Sequence, residues 1–147
     1  MKRQIKFRGK IKDKNSLLFN QWIYGYFFKF SSRYVISDNF DIGYEWTKDF
    51  CNVDENTVGQ FTGLYDKNGV EIYEGDIIDI HQTVCGCNLF EIVWDKTKWN
   101  ARYAMKMNTS GLYEYSFNEL IEANILEKEV EIIGNIYDNP ELLESEE

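Results

Sequence analysis

Three residue types that often reveal the class of a protein are scarce in this 147-residue sequence, which has one proline, three cysteines and one histidine. A single proline argues against a proline-rich linker. An odd number of cysteines argues against a disulfide framework and fits a reducing compartment. No apolar run approaches the ~20 residues that cross a membrane, and no apolar signal core follows the basic N-terminus. We therefore expect a cytoplasmic globular protein.

Sequence motifs of common enzyme classes are also missing. There is no phosphate-binding loop, dinucleotide fingerprint or metalloprotease helix. The one histidine, His81, shares a predicted strand face with Asp79 but has no evident nucleophile partner. The acids Glu71, Glu74, Asp76 and Asp79 could form a glycosidase-like carboxylate pair or a magnesium site, yet Glu74 and Asp76 are better explained as turn residues. We predict that the protein is not an enzyme and has no catalytic residues and no cofactor.

The sharpest candidate for a metal site is His81-x-x-x-Cys85-x-Cys87, with Cys51 as the candidate fourth ligand. Imidazole and thiolates can bind zinc tetrahedrally. However, Cys-x-Cys is tighter than the usual spacing of structural zinc ligands, and the fourth ligand has no support from the sequence pattern. The alternative is a solvated loop that carries two thiols. We prefer the loop and predict no metal site.

Aromatic residues are abundant instead, at 16% of the chain, with ten tyrosines, ten phenylalanines and four tryptophans. With 44% hydrophobic residues the chain can bury a core. A small domain cannot hide so many rings. Some of them should lie at a domain or subunit interface, where tyrosine and tryptophan are favoured.

Charge is unevenly distributed around a formal net charge of -9. Residues 1–14 hold seven of the sixteen basic side chains, whereas residues 111–147 hold eleven acids and one base. Such polarity could attract one subunit to another or fold the two ends together. The alternative is a pair of solvated faces that contribute little. We expect a homo-oligomer, with a host or phage protein as a further partner.

Alternating residues predict strands over 4–11, 21–30 and 33–36, which together would form an N-terminal β meander. The first strand should have a wet, basic face of Lys6, Arg8 and Lys10. Together with Phe7 this face could bind nucleic acid. A sequence pI near 4.7 argues against that role. A third function, mimicry of DNA by the acidic C-terminal region toward a host protein, has no motif behind it.

The segment 60–80 carries the strongest pattern in the chain. Asp66-Lys67-Asn68-Gly69 has the order of a type I turn followed by a left-handed residue. Glu74-Gly75-Asp76 repeats the turn chemistry after only four residues, so the strand between must be very short. The next strand alternates, with Ile78 and Ile80 on one face. Two tight turns this close together favour a strongly bent barrel over a flat sheet.

Further strands are predicted over 89–94, 101–107 and 130–136, the last with a bulge or close approach at Gly134. The pattern weakens over 37–56, where a loop is predicted over 38–43. Another loop is predicted over 83–88, and a helical turn over 118–123 capped by Ser116 or Asn118. Pro140 should stop the last strand. The predicted domains are residues 1–56, 57–140 and an acidic tail, 141–147.

Two segments carry a family resemblance: FTGLYDKNGVEIYEGDII at 61–78 and IGNIYDNPELL at 133–143, with a weaker match, IKFR, at 5–8. They resemble the signature of the YopX family of prophage-encoded proteins. The resemblance implies a phage or prophage protein in the cytosol of a Gram-positive host, an SH3-type barrel in the C-terminal part, and self-association. It implies no catalytic residues, because the family's function is unknown.

We therefore predict a mainly β protein in which a smaller N-terminal β meander is followed by a C-terminal SH3-like barrel. Its predicted role is that of a self-associating scaffold or adaptor that binds other macromolecules. The residues predicted to set the backbone are Asp66, Asn68, Gly69, Gly75, Asp76, Gly134 and Pro140. Those predicted to fill the barrel are Phe61, Tyr73, Ile78, Ile80, Trp94 and Ile136.

Overall fold

The computed structural model describes residues 4–38, 50–80, 89–95, 98–103, 114–116, 119 and 126–143. The chain divides into two compact units, Met1–Phe61 and Thr62–Glu147. The described part is mainly β and contains two antiparallel sheets, which confirms the predicted fold class at that level. None of the helices in these ranges is long and apolar enough to cross a membrane.

The described ranges contain eleven strands. They are β1 (Phe7–Lys10), β2 (Trp22–Phe30), β3 (Arg33–Ser37), β4 (Cys51–Asn52), β5 (Gly59–Tyr65), β6 (Glu71–Tyr73), β7 (Asp76–Ile80), β8 (Leu89–Asp95), β9 (Lys98–Tyr103), β10 (Glu114–Ser116) and β11 (Val130–Asn135). A short helix, α1 (Leu126–Glu129), precedes β11, and 3-10 turns occupy Glu55–Thr57 and Pro140–Leu143.

In the first unit the strand order is β4-β3-β2-β1-β5, with every pair antiparallel. The predicted meander is confirmed, because β2 and β3 lie within one residue of their expected bounds. β4 and the 3-10 turn after it fall in a stretch predicted as irregular. A strand of two residues is too short to show an alternating pattern, so it has no signal in the sequence.

The core of the first unit lies on the face of β1 and β2 that carries Phe7 and Phe27, whose ring centroids are 5.4 Å apart. Ile36 and Val53 are fully buried there. A Cβ on Gly9 would lie 3.2 Å from both Ile36 Cδ1 and Val53 Cβ, so glycine allows this close packing.

The second unit contains the sheet β10-β9-β8-β7-β11 and the hairpin of β5 and β6. β8 confirms the strand predicted over 89–94. The next strand starts at Lys98, three residues earlier than predicted, because Lys98 pairs with Asp95 and this pairing fixes the register. The predicted loop over 83–88, and all but Glu119 of the predicted helical turn over 118–123, lie outside the described residues.

The core of the second unit joins the hairpin to the sheet. Its fully or almost fully buried members are Ile72, Ile78, Ile80, Phe90, Ile92 and Val130. Of the residues predicted to fill the barrel, four are buried, namely Phe61, Tyr73, Ile78 and Ile80. Ile136 is half-buried. The prediction for Trp94 is wrong: it is 45% exposed, because it pairs with Trp99 near the hairpin end of β8, past the buried cluster.

The predicted closure into a barrel is not what the strand pairings show. Within the described ranges, the sheet of the second unit is open, and no pairing joins its edge strands β10 and β11. The turn between β5 and β6 bonds to β11 instead, where the Lys67 backbone N–H donates to the Val130 carbonyl at 2.9 Å.

Candidate functional site

The turn between β5 and β6 has the geometry that its sequence predicts. The Asp66 Oδ1 atom accepts hydrogen bonds from the backbone N–H groups of Asn68 at 2.8 Å and Val70 at 2.9 Å. The Gly69 N–H donates to the Asp66 carbonyl at 3.0 Å, and Gly69 has a φ of 77°. A left-handed glycine therefore closes the turn, as expected.

The same carboxylate also fastens the turn to a distant strand. Asp66 is 4% exposed, and its Oδ2 atom accepts a hydrogen bond from the Ile132 N–H of β11 at 3.2 Å. Beside it, the Lys67 ammonium forms an ion pair with Glu131. One buried carboxylate thus sets the local turn and its position against β11.

The second turn, between β6 and β7, is built in a similar way. The Asp76 Oδ2 atom accepts from the Tyr73 N–H at 2.8 Å, and Asp76 is 1% exposed. Gly75 has a φ of 82°, and its N–H donates to the Ile92 carbonyl of β8 at 2.9 Å. The predicted role of these residues in the turn is confirmed.

A third turn follows β11. The Asn135 Oδ1 atom accepts from the N–H groups of Tyr137 and Asp138, each at 3.0 Å. The Asn139 Oδ1 atom accepts from the Asn135 N–H at 3.3 Å. Pro140 starts the following 3-10 turn, a position where its missing N–H costs no internal bond. The strand itself ends at Asn135, five residues before the proline that was predicted to stop it.

Gly134 lies at a register shift in β11, since Ile132 pairs with Ile78 and Gly134 pairs with the adjacent Ile77. The predicted bulge is therefore confirmed. A Cβ on Gly134 would contact the Asn139 side chain, including Cγ at 2.8 Å. The bulge and the third turn are packed so closely that a larger residue at Gly134 would require the Asn139 side chain to move.

Hydrogen bonds connect all three turns within the second unit. The Asp66 carboxylate reaches β11 at Ile132, and the Ile136 N–H donates to the Gly75 carbonyl at 2.9 Å. We call this arrangement the turn cluster and define it by Asp66, Gly75, Asp76, Asn135 and Asn139. It brings together the two sequence segments that carry the YopX resemblance.

The chemistry of the turn cluster is that of backbone support. The carboxylates of Asp66 and Asp76 are buried and accept bonds from main-chain amides. A third acid, Glu71, accepts a hydrogen bond from the Tyr73 hydroxyl at 2.8 Å. These contacts satisfy the amides of tight turns and hold their geometry.

Metal-ligating side chains do not gather in groups of three or more anywhere in the part of the chain that the structure describes. His81, Cys85 and Cys87 lie outside the described residues. Cys51, the candidate fourth ligand, lies in β4 and is half-buried. The absence of a metal site therefore stays a prediction.

Sequence reasoning missed the asparagine side chains at 135 and 139, although it identified the glycine and proline beside them. The signal was present, because an asparagine side chain readily accepts a hydrogen bond from the backbone two residues on, and asparagine directly before proline favours a turn. It also missed Thr62, whose hydroxyl donates to the Ile72 carbonyl at 2.8 Å inside the β5–β6 hairpin.

The predicted wet, basic face of the first strand is wrong at two of its three residues. Arg8 is 6% exposed and Lys10 is 9% exposed. Both cations lie over the Trp22 ring of β2, with distances to the ring centroid of 4.6 Å for Arg8 Cζ and 5.4 Å for Lys10 Nζ. The alternation was correct, but an aromatic neighbour that only strand pairing reveals covers the basic face.

The fold and the turn cluster together define a small two-unit β protein whose most patterned residues set backbone geometry. A family model described as YopX protein matches residues 6–144, nearly the whole chain. The chain therefore belongs to the YopX family, and the resemblance of its two signature segments is confirmed.

Among solved structures, the chain is similar to protein EF1440 from Enterococcus faecalis, known from its crystal structure. The two are 24% identical with a TM-score of 0.55, and the match covers 97% of this chain and 99% of that one. At this identity the likeness concerns the fold alone. No curated protein matches the chain.

Proposed function

We propose that this YopX-family chain is a non-enzymatic accessory protein of a phage or prophage. It self-associates in the cytosol of the bacterial host and acts as a scaffold or adaptor for other macromolecules. The proposal that the protein is not an enzyme is supported by the turn cluster. Its buried carboxylates, Asp66 and Asp76, accept hydrogen bonds from backbone amides. Carboxylates engaged in this way hold a fold and are not presented to a substrate.

The main support for self-association is an exposed apolar segment in the connection between β1 and β2. Leu17 is 99% exposed, Leu18 48% and Phe19 46%. Three consecutive large apolar side chains that face solvent are the kind of feature that marks a protein contact. The backbone of this segment is nevertheless held in place, since the Phe19 N–H donates to the Ser16 carbonyl at 3.1 Å.

We further propose that the second unit is an open relative of the SH3-type barrel that the family resemblance implies. Its hairpin of β5 and β6 supplies Ile72 to the same core as β7, β8 and β11. The hairpin turn bonds to β11 through Lys67 and Asp66. A rigid frame of strands that presents loops suits a binding module.

Self-association is tested by light scattering after size exclusion at low and high salt, with the ultraviolet absorbance ratio recorded for copurified nucleic acid. We expect a particle at least twice the mass of one chain. The double variant L18S/F19S should reduce that mass, whereas Val70→Ser, at a position 51% exposed in the second unit, should not. A wild-type monomer at all concentrations would refute the proposal.

A further inference from the structure

One face of β2 carries aromatic side chains that the core of the first unit does not use. Trp22, Tyr24, Tyr26 and Phe28 alternate along the strand and share this face. Phe50 extends it, since its ring meets Phe28 edge-on with centroids 6.3 Å apart. We call these five residues the aromatic face.

The two tyrosines at the centre of the aromatic face are accessible to solvent. Tyr24 is 43% exposed and Tyr26 is 40% exposed. They lie on an interior strand, because β2 pairs with β1 on one side and β3 on the other. Side chains two residues apart on a strand are separated by roughly 6.6 Å, so each ring can receive its own planar partner.

Packing of the core does not require large rings at these two positions. Most of the core of this unit lies on the opposite face, where Phe27 stacks on Tyr34 with ring centroids 6.0 Å apart and Ile36 is fully buried. Val35, which pairs with Phe28, is the buried core residue on the side of the aromatic face. Tyr24 and Tyr26 point away from that core, because successive residues of a strand face opposite sides. The exposed part of each ring can therefore contact a ligand.

Basic residues lie on the same side of the sheet as the aromatic face. Arg33 of β3 is exposed to solvent and pairs with Phe30 of β2, whereas Arg8 and Lys10 lie over the Trp22 ring and are almost fully buried. The four strands β1 to β4 contain no aspartate or glutamate. Their only ionised side chains at neutral pH are therefore positive.

Although the net charge of the whole chain is negative, the first unit has more basic than acidic residues. Residues 1–61 contain ten basic and seven acidic residues, whereas residues 62–147 contain six basic and eighteen acidic ones. The acidic pI thus comes from the second unit. An anionic ligand would meet attraction at the first unit and repulsion at the second.

We propose that the aromatic face binds single-stranded nucleic acid, with Tyr24 and Tyr26 each stacking on a base. Rings on a sheet surface combined with nearby cations are the recurrent chemistry of such sites, because every base has a π-face and every nucleotide a phosphate. Duplex DNA should bind poorly, since its bases are already stacked. This activity goes beyond self-association and does not depend on it.

The test is fluorescence anisotropy of labelled oligonucleotides with the full chain. Three probes of about 20 nucleotides, longer than the ~4–16 covered by one small β-barrel site, are used: oligo-dT, oligo-rU and a mixed-sequence duplex. We expect the single strands to bind more tightly than the duplex, with affinity that falls as salt rises from about 50 to 200 mM. Comparison of oligo-dT with oligo-rU identifies the natural source as DNA or RNA.

Matched variants separate stacking from general surface contact. Tyr24→Leu and Tyr26→Leu remove a ring but keep an apolar side chain, and each should weaken binding roughly tenfold. Tyr24→Phe and Tyr26→Phe keep the ring and should bind as the wild type does. Tyr65→Leu is the control, because Tyr65 is a tyrosine of the second unit that is 45% exposed. It should leave the affinity for the oligonucleotides unchanged.

Two results would overturn the proposal. One is an intact, folded protein that binds none of the single strands at low salt. The other is binding that the leucine variants leave unchanged. In the second case, light scattering of the leucine variants without nucleic acid shows what the face does instead. If these variants lower the particle mass and leave nucleic-acid binding unchanged, the aromatic face is a contact between copies, and stacking on bases is excluded. A wild-type chain that stays a monomer but binds the single strands would instead contradict the scaffold proposal alone.

Discussion

The Oδ2 atom of Asp66 accepts a hydrogen bond from the Ile132 backbone N–H at 3.2 Å, joining a turn to a strand 66 residues further along the chain. The other carboxylate oxygen accepts two N–H groups of its own turn. Three amides therefore depend on one side chain. Because that side chain is buried, water cannot replace it.

Asp66→Ala should lower the free energy of unfolding by about 2–4 kcal/mol, because it leaves buried amide donors without an acceptor. Asp66→Asn should cost less, since its amide oxygen can still accept from Asn68 and Val70. The control is Asp13→Ala, which removes an exposed turn bond to the Asn15 N–H. Urea denaturation measures all three. If Asp66→Ala and Asp13→Ala lower the free energy of unfolding equally, the hydrogen bond from Asp66 to β11 contributes little to stability.

Gly69→Val should destabilise the protein by ~1–3 kcal/mol, because a β-branched residue is strained at positive φ. The cause is backbone strain and not a clash, since nothing lies within 4 Å of a Cβ built at Gly69. Gly69→Asn should therefore be nearly neutral, because asparagine tolerates the left-handed conformation. Thermal unfolding compares the two variants, and an unchanged melting temperature for Gly69→Val would contradict the turn assignment.

Local chemistry explains which parts of the fold the sequence could predict. The turns at Asp66 and Gly75 were predictable because their residue order alone demands a left-handed glycine and a carboxylate acceptor. Alternation was sufficient for β2, β3, β7 and β8 because each exceeds four residues. The two-residue β4 has no pattern, and the start of β9 depends on a hairpin loop that alternation does not encode.

Contacts between distant segments explain what could not be predicted. The burial of Arg8 and Lys10 follows from Trp22, which only the register of β1 and β2 brings beside them. Trp94 is exposed because it lies near the end of β8, beyond the residues of that strand that form the buried core. The bond from Asp66 to Ile132 likewise requires the tertiary fold. Sequence reasoning identified Asp66, Gly75 and Asp76 but missed Asn135 and Asn139. It did not show that hydrogen bonds join these residues into one cluster.

Trp94→Ser should change the free energy of unfolding by no more than about 1 kcal/mol, because the side chain is 45% exposed. Phe90→Ala, four residues earlier on the same strand and fully buried, should cost ~3–5 kcal/mol. Guanidinium denaturation of both variants measures the difference. A loss at Trp94 as large as that at Phe90 would place the tryptophan in the core after all.

Gly134→Ala should destabilise the second unit by about 1–3 kcal/mol, because the new methyl group would meet the Asn139 amide, whose Cγ lies 2.8 Å from it. Asn139→Ala removes the bond to the Asn135 N–H and should cost ~1 kcal/mol. In the double variant the methyl group no longer meets the amide, so the loss should be smaller than the sum of the single losses. Chemical denaturation of all four proteins completes the cycle. If the two substitutions lower the free energy of unfolding additively, the bulge at Gly134 and the turn at Asn139 contribute to stability independently.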